Sequence, residues 1–288
     1  MYDLIVAGKG PAGISAAIYG VRAGLRVLVL GMDDSALLRA HTIENYYGFP
    51  NGISGKDLFE AGIAQAKELG VEVKTEEVVG LGFTEALTVT TNVESYQAYG
   101  VVLALGASRK TPNLAGISEL EGKGVSYCAV CDGFFYRQKD VGVLGNGEYA
   151  LHEAQALLPL ASSVTIFTNG RPMAVPVAEG IMVEERPLAA VRGTESVEAV
   201  ELADGTKVAL AGLFVAEGVA GVVDLAKKIG AETAGAQIVV DERMQTNVPG
   251  LFACGDCVPG LYQVAKAVHD GAIAGLEAGK WVRSQKEA

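Results

Sequence analysis

"YDLIVAGKGPAGISAAIYGVRAGLRVLVLG", Tyr2 to Gly31, reads as one β-α-β unit. Leu4 to Ala7 are apolar and suit a buried strand. The turn that follows carries Gly8, Gly10 and Gly13 in Gly-x-Gly-x-x-Gly spacing. A helix from about Ala12 to Ala23, lined with Ala, Ser and Gly, leads to a returning strand at Arg26 to Leu30. Small residues let such a helix press on the sheet while bare backbone N–H groups face a pyrophosphate. Three glycines alone are a weak signal, but between a strand and a helix, with a second strand after them, they specify a dinucleotide turn. One feature departs from the pattern. Gly31 caps the second strand, where an acid usually grips the ribose, and Asp33 and Asp34 lie just beyond.

Outward from this unit, "SGKDLFEAGIAQAKELG" has Leu58, Phe59, Ile63 and Leu69 at helical spacing, with Ser54 as N-cap and Gly70 closing the helix. Short alternating strands from Val71 to Ala104 predict a three- or four-stranded antiparallel patch. Lys110 to Ile117 has the composition of a linker. A second β-α-β unit starts at Val141, with Gly145, Gly147 and Ala150 in Gly-x-Gly-x-x-Ala spacing, and a hairpin turns later at Asp204-Gly205. The crossover from Thr168 to Ile181 carries two prolines and is too short and broken for a regular helix. A second linker-like stretch, "RMQTNVPG", leads into a strand, a Gly-Asp turn and a long final helix. The fold class expected is α/β: two Rossmann-like domains of three layers (ββα), the second inserted into the first. The first comprises residues 1–113 and 245–288, the second 114–244.

A chain of 288 residues, half of them hydrophobic and with 37 glycines, suits two well-buried α/β domains. A net charge of −11 argues against nucleic acid, which needs a basic face. No apolar run approaches the roughly 20 residues that span a bilayer. The start runs directly into a strand, with no leader pattern. These features predict a soluble, cytoplasmic protein that binds neither nucleic acid nor membrane. The four cysteines fall in two pairs, Cys128/Cys131 and Cys254/Cys257, each a Cys-x-x-Cys. In a reducing cytosol such a pair reads as redox or metal chemistry. A Cys-x-x-Cys at a helix N-terminus has one thiol acidified by the helix dipole. That thiolate attacks an external disulfide and the second thiol resolves the mixed disulfide. Asp132, next in line, suits the proton transfer that thiol exchange requires. His41, His152 and His269 are isolated and show no ligand spacing. Lys9, inside the first glycine turn, suits either a pyrophosphate contact or a solvated side chain.

The order of motifs is "GKGPAG" at Gly8 to Gly13, "IENYYG" at Ile43 to Gly48, "LALGA" before the first linker, "CAVCDGFFYR" at Cys128 to Arg137, and "TNVPGLFACGD" near the end. Over essentially the whole chain it resembles the low-molecular-weight thioredoxin reductases. The resemblance implies FAD on the first domain, with its pyrophosphate on the turn of Gly8, Gly10, Pro11, Ala12 and Gly13. Asp33 and Gly106 belong to the same implied binding set, with the isoalloxazine near Asn45. Asp256, after Gly255, would bond the ribityl chain, and Gln263 and Val264 at the start of the last helix would sit by the flavin ring. The resemblance assigns Cys128 to the attack on thioredoxin and Cys131 to the contact with flavin C4a, and it implies a homodimer. Cys254 and Cys257 flank the implied FAD turn, where small apolar residues are usual, and buried cysteine behaves as a small hydrophobe. A metal shared by all four cysteines would pull Asp256 from the flavin and tie two domains together, so no metal is expected.

The second dinucleotide fold lacks a grip for its nucleotide. Where the family has His-Arg-Arg followed by another Arg, this chain reads Thr168, Asn169, Gly170 and, further on, Ala174, with Arg171 alone nearby. Hydrogen bonds to charged groups contribute roughly 1.5–3 kcal/mol each, so two missing arginines cost more than about 100-fold in affinity. Glu148 adds an anion where a pyrophosphate would lie. In this the chain is most similar to the ferredoxin-dependent flavin thioredoxin reductase branch, which lacks the NADPH motif. A plant-type ferredoxin near −400 mV lies about 130 mV below a thioredoxin near −270 mV, roughly 6 kcal/mol downhill for two electrons. Arg22, Arg26, Arg109, Lys110 and Arg137 are the candidates for docking an acidic ferredoxin. Two other enzyme readings stay open: an NAD(P)H-dependent thioredoxin reductase with an atypical cofactor site, and an FAD-dependent dithiol oxidase using oxygen. The intact Cys-x-x-Cys-Asp argues against a flavoprotein that merely binds a partner.

Overall fold

Strand, turn and helix form where the first glycines predict them. In a computed structural model, β1 (Tyr2–Ala7) runs into α1 (Pro11–Arg22) and β2 (Val27–Leu30). The structure describes residues 1–287 except Asp34, 107–111, Cys128 and 218–220, and describes Arg39, Val130 and Cys131 by their backbone alone. Pro11 takes the first helical position, where its missing N–H costs nothing and its ring pre-sets the helical φ. The helix α2 (Gly55–Glu68) starts as its cap predicts: the Ser54 hydroxyl accepts the Asp57 N–H at 3.0 Å, and Gly70 ends the run at φ +92°.

One expected pairing differs. The strand after Val71, β3 (Glu72–Lys74), lies parallel to β2 on the sheet edge instead of joining the antiparallel patch. That patch is β4 (Val78–Phe83), β5 (Leu87–Thr91) and β6 (Ser95–Leu103), and β6 also pairs in parallel with β1. The sheet order is β3-β2-β1-β6-β5-β4. β1 and β2 are almost wholly buried, as a strand covered on both faces must be.

The chain then builds β7 (Val125–Ser126), α3 (Ala129–Asp132), β8 (Asp140–Leu144), α4 (Glu148–Leu157), β9 (Ser163–Phe167) and β10 (Ile181–Glu184). No helix forms between β9 and β10, as the two prolines predict. A small antiparallel sheet follows, β11 (Leu188–Arg192), β12 (Ala199–Leu202) and β13 (Lys207–Ala209), turning at Asp204-Gly205. With β14 (Gly212–Val215) the parallel sheet closes in the order β10-β9-β8-β14-β7. The stretch before β7 is more than a connection. Ile117 is fully buried in this sheet's core, and the Val191 N–H donates to the Ala115 carbonyl at 2.8 Å.

The remaining elements are α5 (Val222–Lys228), β15 (Thr233–Ala234), β16 (Gln237–Ile238), β17 (Leu251–Ala253) and α6 (Val264–Glu287). The chain divides into two compact units: Met1–Ser108 with Gly221–Ala288, and Arg109–Ala220. The return to the first unit comes at 221 rather than 245, because α5 buries its apolar face against β4. The Asn247 side chain ties the following turn, accepting the Glu232 N–H at 2.8 Å and donating to the Gly230 carbonyl at 2.9 Å. Both units are α/β with Rossmann-like sheets. No helix among the described residues is long and apolar enough to cross a membrane.

Candidate functional site

In the first unit the glycine turn is built by close approach. Gly8 takes φ +124°, and a Cβ there would collide with the Ala104 carbonyl; one at Gly13 would collide with the Gly8 carbonyl. Gly10 is different: a Cβ there would meet only Ser35 Oγ, at 3.6 Å, so its bare backbone leaves space above the turn. No side chain caps α1 and no acid stands in its first turn, so its first N–H groups remain available to an anion. Pro11 and Ala12 open that helix, and Gly106 (φ +81°) also has open space around it.

Lys9 follows neither of its two expected courses. It is 4% exposed, and its ammonium bonds the Asp33 carboxylate at 2.5 Å and the Thr75 hydroxyl at 2.9 Å. Asp33 keeps a side chain 60% exposed. A cavity of about 730 Å³ opens beside this pair, with Phe59, Ile63 and Val73 on its apolar wall.

The far end of the chain reaches the same turn because α6 crosses α1 closely. Gly271 and Gly275 lie against the Ala12 and Ala16 carbonyls, where any Cβ would collide. β17 ends at the Gly255-Asp256 turn, with Gly255 at φ +79° packed on Ala12. Asp256 is half-buried and has no hydrogen-bond partner among the described residues; burial raises its carboxyl pKa. Asn45 donates to Gln263 at 2.9 Å, joining two residues 218 positions apart, and Val264 begins α6 next to them. A half-buried carboxylate without a partner, uncapped helix amides and a turn kept clear of side chains fit a dinucleotide flavin.

Cys254 and Cys257 are free thiols with 0% exposure. Cys254 packs in the apolar core, and burial pushes its thiol well above its ordinary pKa. The Cys257 thiol bonds the Leu103 and Cys254 carbonyls, and burial pushes it up to about 12. Thiols protonated at neutral pH are poor nucleophiles. Cys254→Ala is therefore expected to leave turnover unchanged at a stability cost of about 1 kcal/mol. Steady-state rates and thermal unfolding check this, and a dead variant with full cofactor would contradict it.

In the second unit Cys128 lies outside the described residues, and Cys131 contributes backbone to α3. Asp132 accepts from the Ser126 hydroxyl at 2.7 Å. Glu153 of α4, missed by motif reading, is 1% exposed and accepts the Ala129 N–H at 2.7 Å. Among the described residues no cluster of three or more His, Cys, Asp or Glu could hold a metal.

Most polar groups at the end of β9 are taken up internally. Thr168 is fully buried, with its N–H donating to the Glu184 carbonyl at 3.0 Å and its hydroxyl without a hydrogen-bond partner among the described residues. Asn169 Oδ1 accepts the Leu188 N–H at 2.9 Å, and the Gly170 N–H donates to the Glu185 carbonyl at 3.0 Å. Arg171 is paired with Glu217 at 2.5 Å. The broken crossover folds back on the second glycine turn: the Ala174 N–H donates to the Asn146 carbonyl at 2.8 Å, and the Asn146 amide donates to the Pro172 carbonyl at 3.1 Å. Glu148 stands in the first turn of α4. Sequence reading located Thr168, Asn169, Gly170 and Arg171 but not their partners, which lie on or just beyond other strands.

Comparison with known proteins agrees with this geometry. The model of the pyridine nucleotide-disulphide oxidoreductase family matches residues 2–271. A thioredoxin reductase of Treponema pallidum is 35% identical over 300 residues, covering 98% of this chain and 97% of that one. The crystal structure of the atypical thioredoxin reductase TRi from Desulfovibrio vulgaris Hildenborough superposes with a TM-score of 0.93 at 37% identity, covering 99% of each chain. A ferredoxin-flavin thioredoxin reductase from Clostridium acetobutylicum superposes with a TM-score of 0.73 at 29% identity, covering 98% of each chain. Thioredoxin reductases of this family bind FAD.

Proposed function

The chain belongs to the pyridine nucleotide-disulphide oxidoreductase family, and from that premise we propose that it is an FAD-dependent thioredoxin reductase whose electrons come from reduced ferredoxin. The turn of Gly8, Gly10, Pro11, Ala12 and Gly13 would hold the pyrophosphate, with Asp33 and Gly106 beside it. Asp256 would bond the ribityl chain, and Asn45, Gln263 and Val264 would line the ring. When bound, FAD supplies an acceptor for one or two electrons and a donor of a pair to a disulfide. Cys128, as thiolate, attacks the thioredoxin disulfide and displaces one of its sulfurs. Cys131 then attacks the mixed disulfide, forming the Cys128–Cys131 disulfide and leaving thioredoxin as a dithiol. Asp132, held by Ser126, is the group for the accompanying proton. The protein would act in a reducing cytoplasm, as a homodimer.

The observation that carries the choice of donor is the Arg171–Glu217 pair. Arg171, which follows the end of β9, is already paired with Glu217. The test is anaerobic: reduced ferredoxin is expected to bleach the flavin, and oxidised thioredoxin to restore its colour. A small dithiol turning over in air, with hydrogen peroxide formed and ferredoxin without effect, would instead identify a dithiol oxidase.

Asp256→Ala is expected to purify largely colourless. Removing a charged hydrogen-bond partner weakens binding by about tenfold to a hundredfold. An Asp256→Ala protein with full flavin content would remove that assignment.

A further inference from the structure

Two charged residues of α6 grip the turn that carries Asp256. Lys266, in the first turn of the helix, has a side chain 15% exposed. Its ammonium donates to the Gly255 carbonyl at 2.7 Å and the Val258 carbonyl at 3.3 Å. Asp270, one turn on and 3% exposed, pairs with that ammonium at 2.9 Å. The same carboxylate oxygen accepts the Gly255 N–H at 3.3 Å. Gly255 is thus held at its N–H and its C=O by the two ends of one ion pair.

Stability alone does not account for this arrangement. A lysine in the first turn of a helix opposes the macrodipole, and a buried ion pair adds little over apolar residues of the same volume. What such a pair can supply is fixed geometry. The residue it clamps, Gly255 at φ +79°, directly precedes Asp256. Lys266 also opposes the rise in Asp256 carboxyl pKa that burial and Asp270 produce.

We infer that Lys266 and Asp270 are positioning residues for the cofactor, clamping the Gly255 peptide so that Asp256 is presented to the ribityl hydroxyls of FAD before the ligand arrives. This rests on the assignment of FAD to the first unit. Preorganisation removes the cost of ordering the turn on binding, so breaking the clamp lowers FAD affinity.

The experiment titrates apoprotein with FAD, following flavin fluorescence, and monitors thermal unfolding of the apoprotein alongside. Lys266→Met is expected to weaken FAD binding by about tenfold or more, as loss of hydrogen bonds to a charged group does. Lys266→Arg, which keeps charge and donors, is expected to stay within about threefold of the native protein. In an Asp256→Asn background Lys266→Met is expected to add no more than about twofold, because it acts through Asp256. Native affinity in Lys266→Met, or its full effect in the Asp256→Asn background, would overturn the inference. If Lys266→Met fails to fold, Asp270→Asn, nearly isosteric, takes its place, with native affinity again the overturning result. Native affinity in Asp256→Asn and Asp256→Ala would instead sink the underlying assignment of Asp256.

Discussion

Millimolar NADPH or NADH, added without oxygen, is expected to leave the oxidised flavin spectrum of this protein unchanged. The expectation has three independent physical sources. A 2′-phosphate needs cationic hydrogen-bond donors, and Arg171 donates to Glu217 instead. A pyrophosphate needs an open helix N-terminus, and the turn before α4 has Pro172 and Ala174 hydrogen-bonded to Asn146 and Glu148 in the first helical turn. A ribose needs a side chain at the end of β9, and Asn169 Oδ1 is taken by the Leu188 N–H. Two lost arginine contacts alone cost more than about 100-fold. Glu217→Gln would release Arg171 and recover one such contact, about tenfold in affinity, but not productive reduction, since the crossover still lies on the turn. Stopped-flow absorbance with native and Glu217→Gln proteins reads both effects. Rapid bleaching of the native flavin at micromolar NADPH would refute the ferredoxin assignment and favour the atypical NAD(P)H reading.

Cys128→Ser is expected to abolish thioredoxin reduction while leaving flavin content and flavin reduction by the donor intact. A serine hydroxyl neither ionises near neutral pH nor forms a disulfide, so the loss is to background. Cys131→Ser is expected to fail at the next step, because nothing would resolve the mixed disulfide. The contrast with Cys254→Ala isolates the chemistry to one pair. The same Cys-x-x-Cys spacing is expected to be inert at Cys254 and Cys257, where both thiols are fully buried. Insulin reduction coupled through thioredoxin, measured beside flavin absorbance, distinguishes the three variants. Wild-type turnover in Cys128→Ser would mean that electrons leave the protein by another route.

Much of the fold was legible because its signals are local. Gly8, Gly10 and Gly13 mark a turn whose backbone conformation and close contacts admit no other residue at two of the three positions. Ser54 and Gly70 bracket α2 as a cap and a stop, and the prolines after Phe167 exclude a crossover helix, all from neighbours within a few residues. Reading went astray where identity depends on a distant partner. β3 reads as one more alternating strand, yet it pairs in parallel with β2. The stretch before residue 118 reads as a linker, yet Ile117 is core. Lys9 reads as a pyrophosphate contact or a solvated cation, yet it is buried against Asp33 and Thr75.

The sequence by itself determined that the chain is a doubled dinucleotide fold with one Cys-x-x-Cys ahead of the second turn, and that the strand ending at Phe167 is not followed by the arginines the resemblance leads one to expect. Only the tertiary structure decided what the remaining groups do: that Arg171 meets Glu217, that Asn45 meets Gln263, and that Lys266 and Asp270 clamp Gly255. Backbone conformation is set by sterics between adjacent residues and can be read from their order. Most of these polar pairings join residues tens to hundreds of positions apart, and even the near ones depend on burial and direction that spacing does not encode.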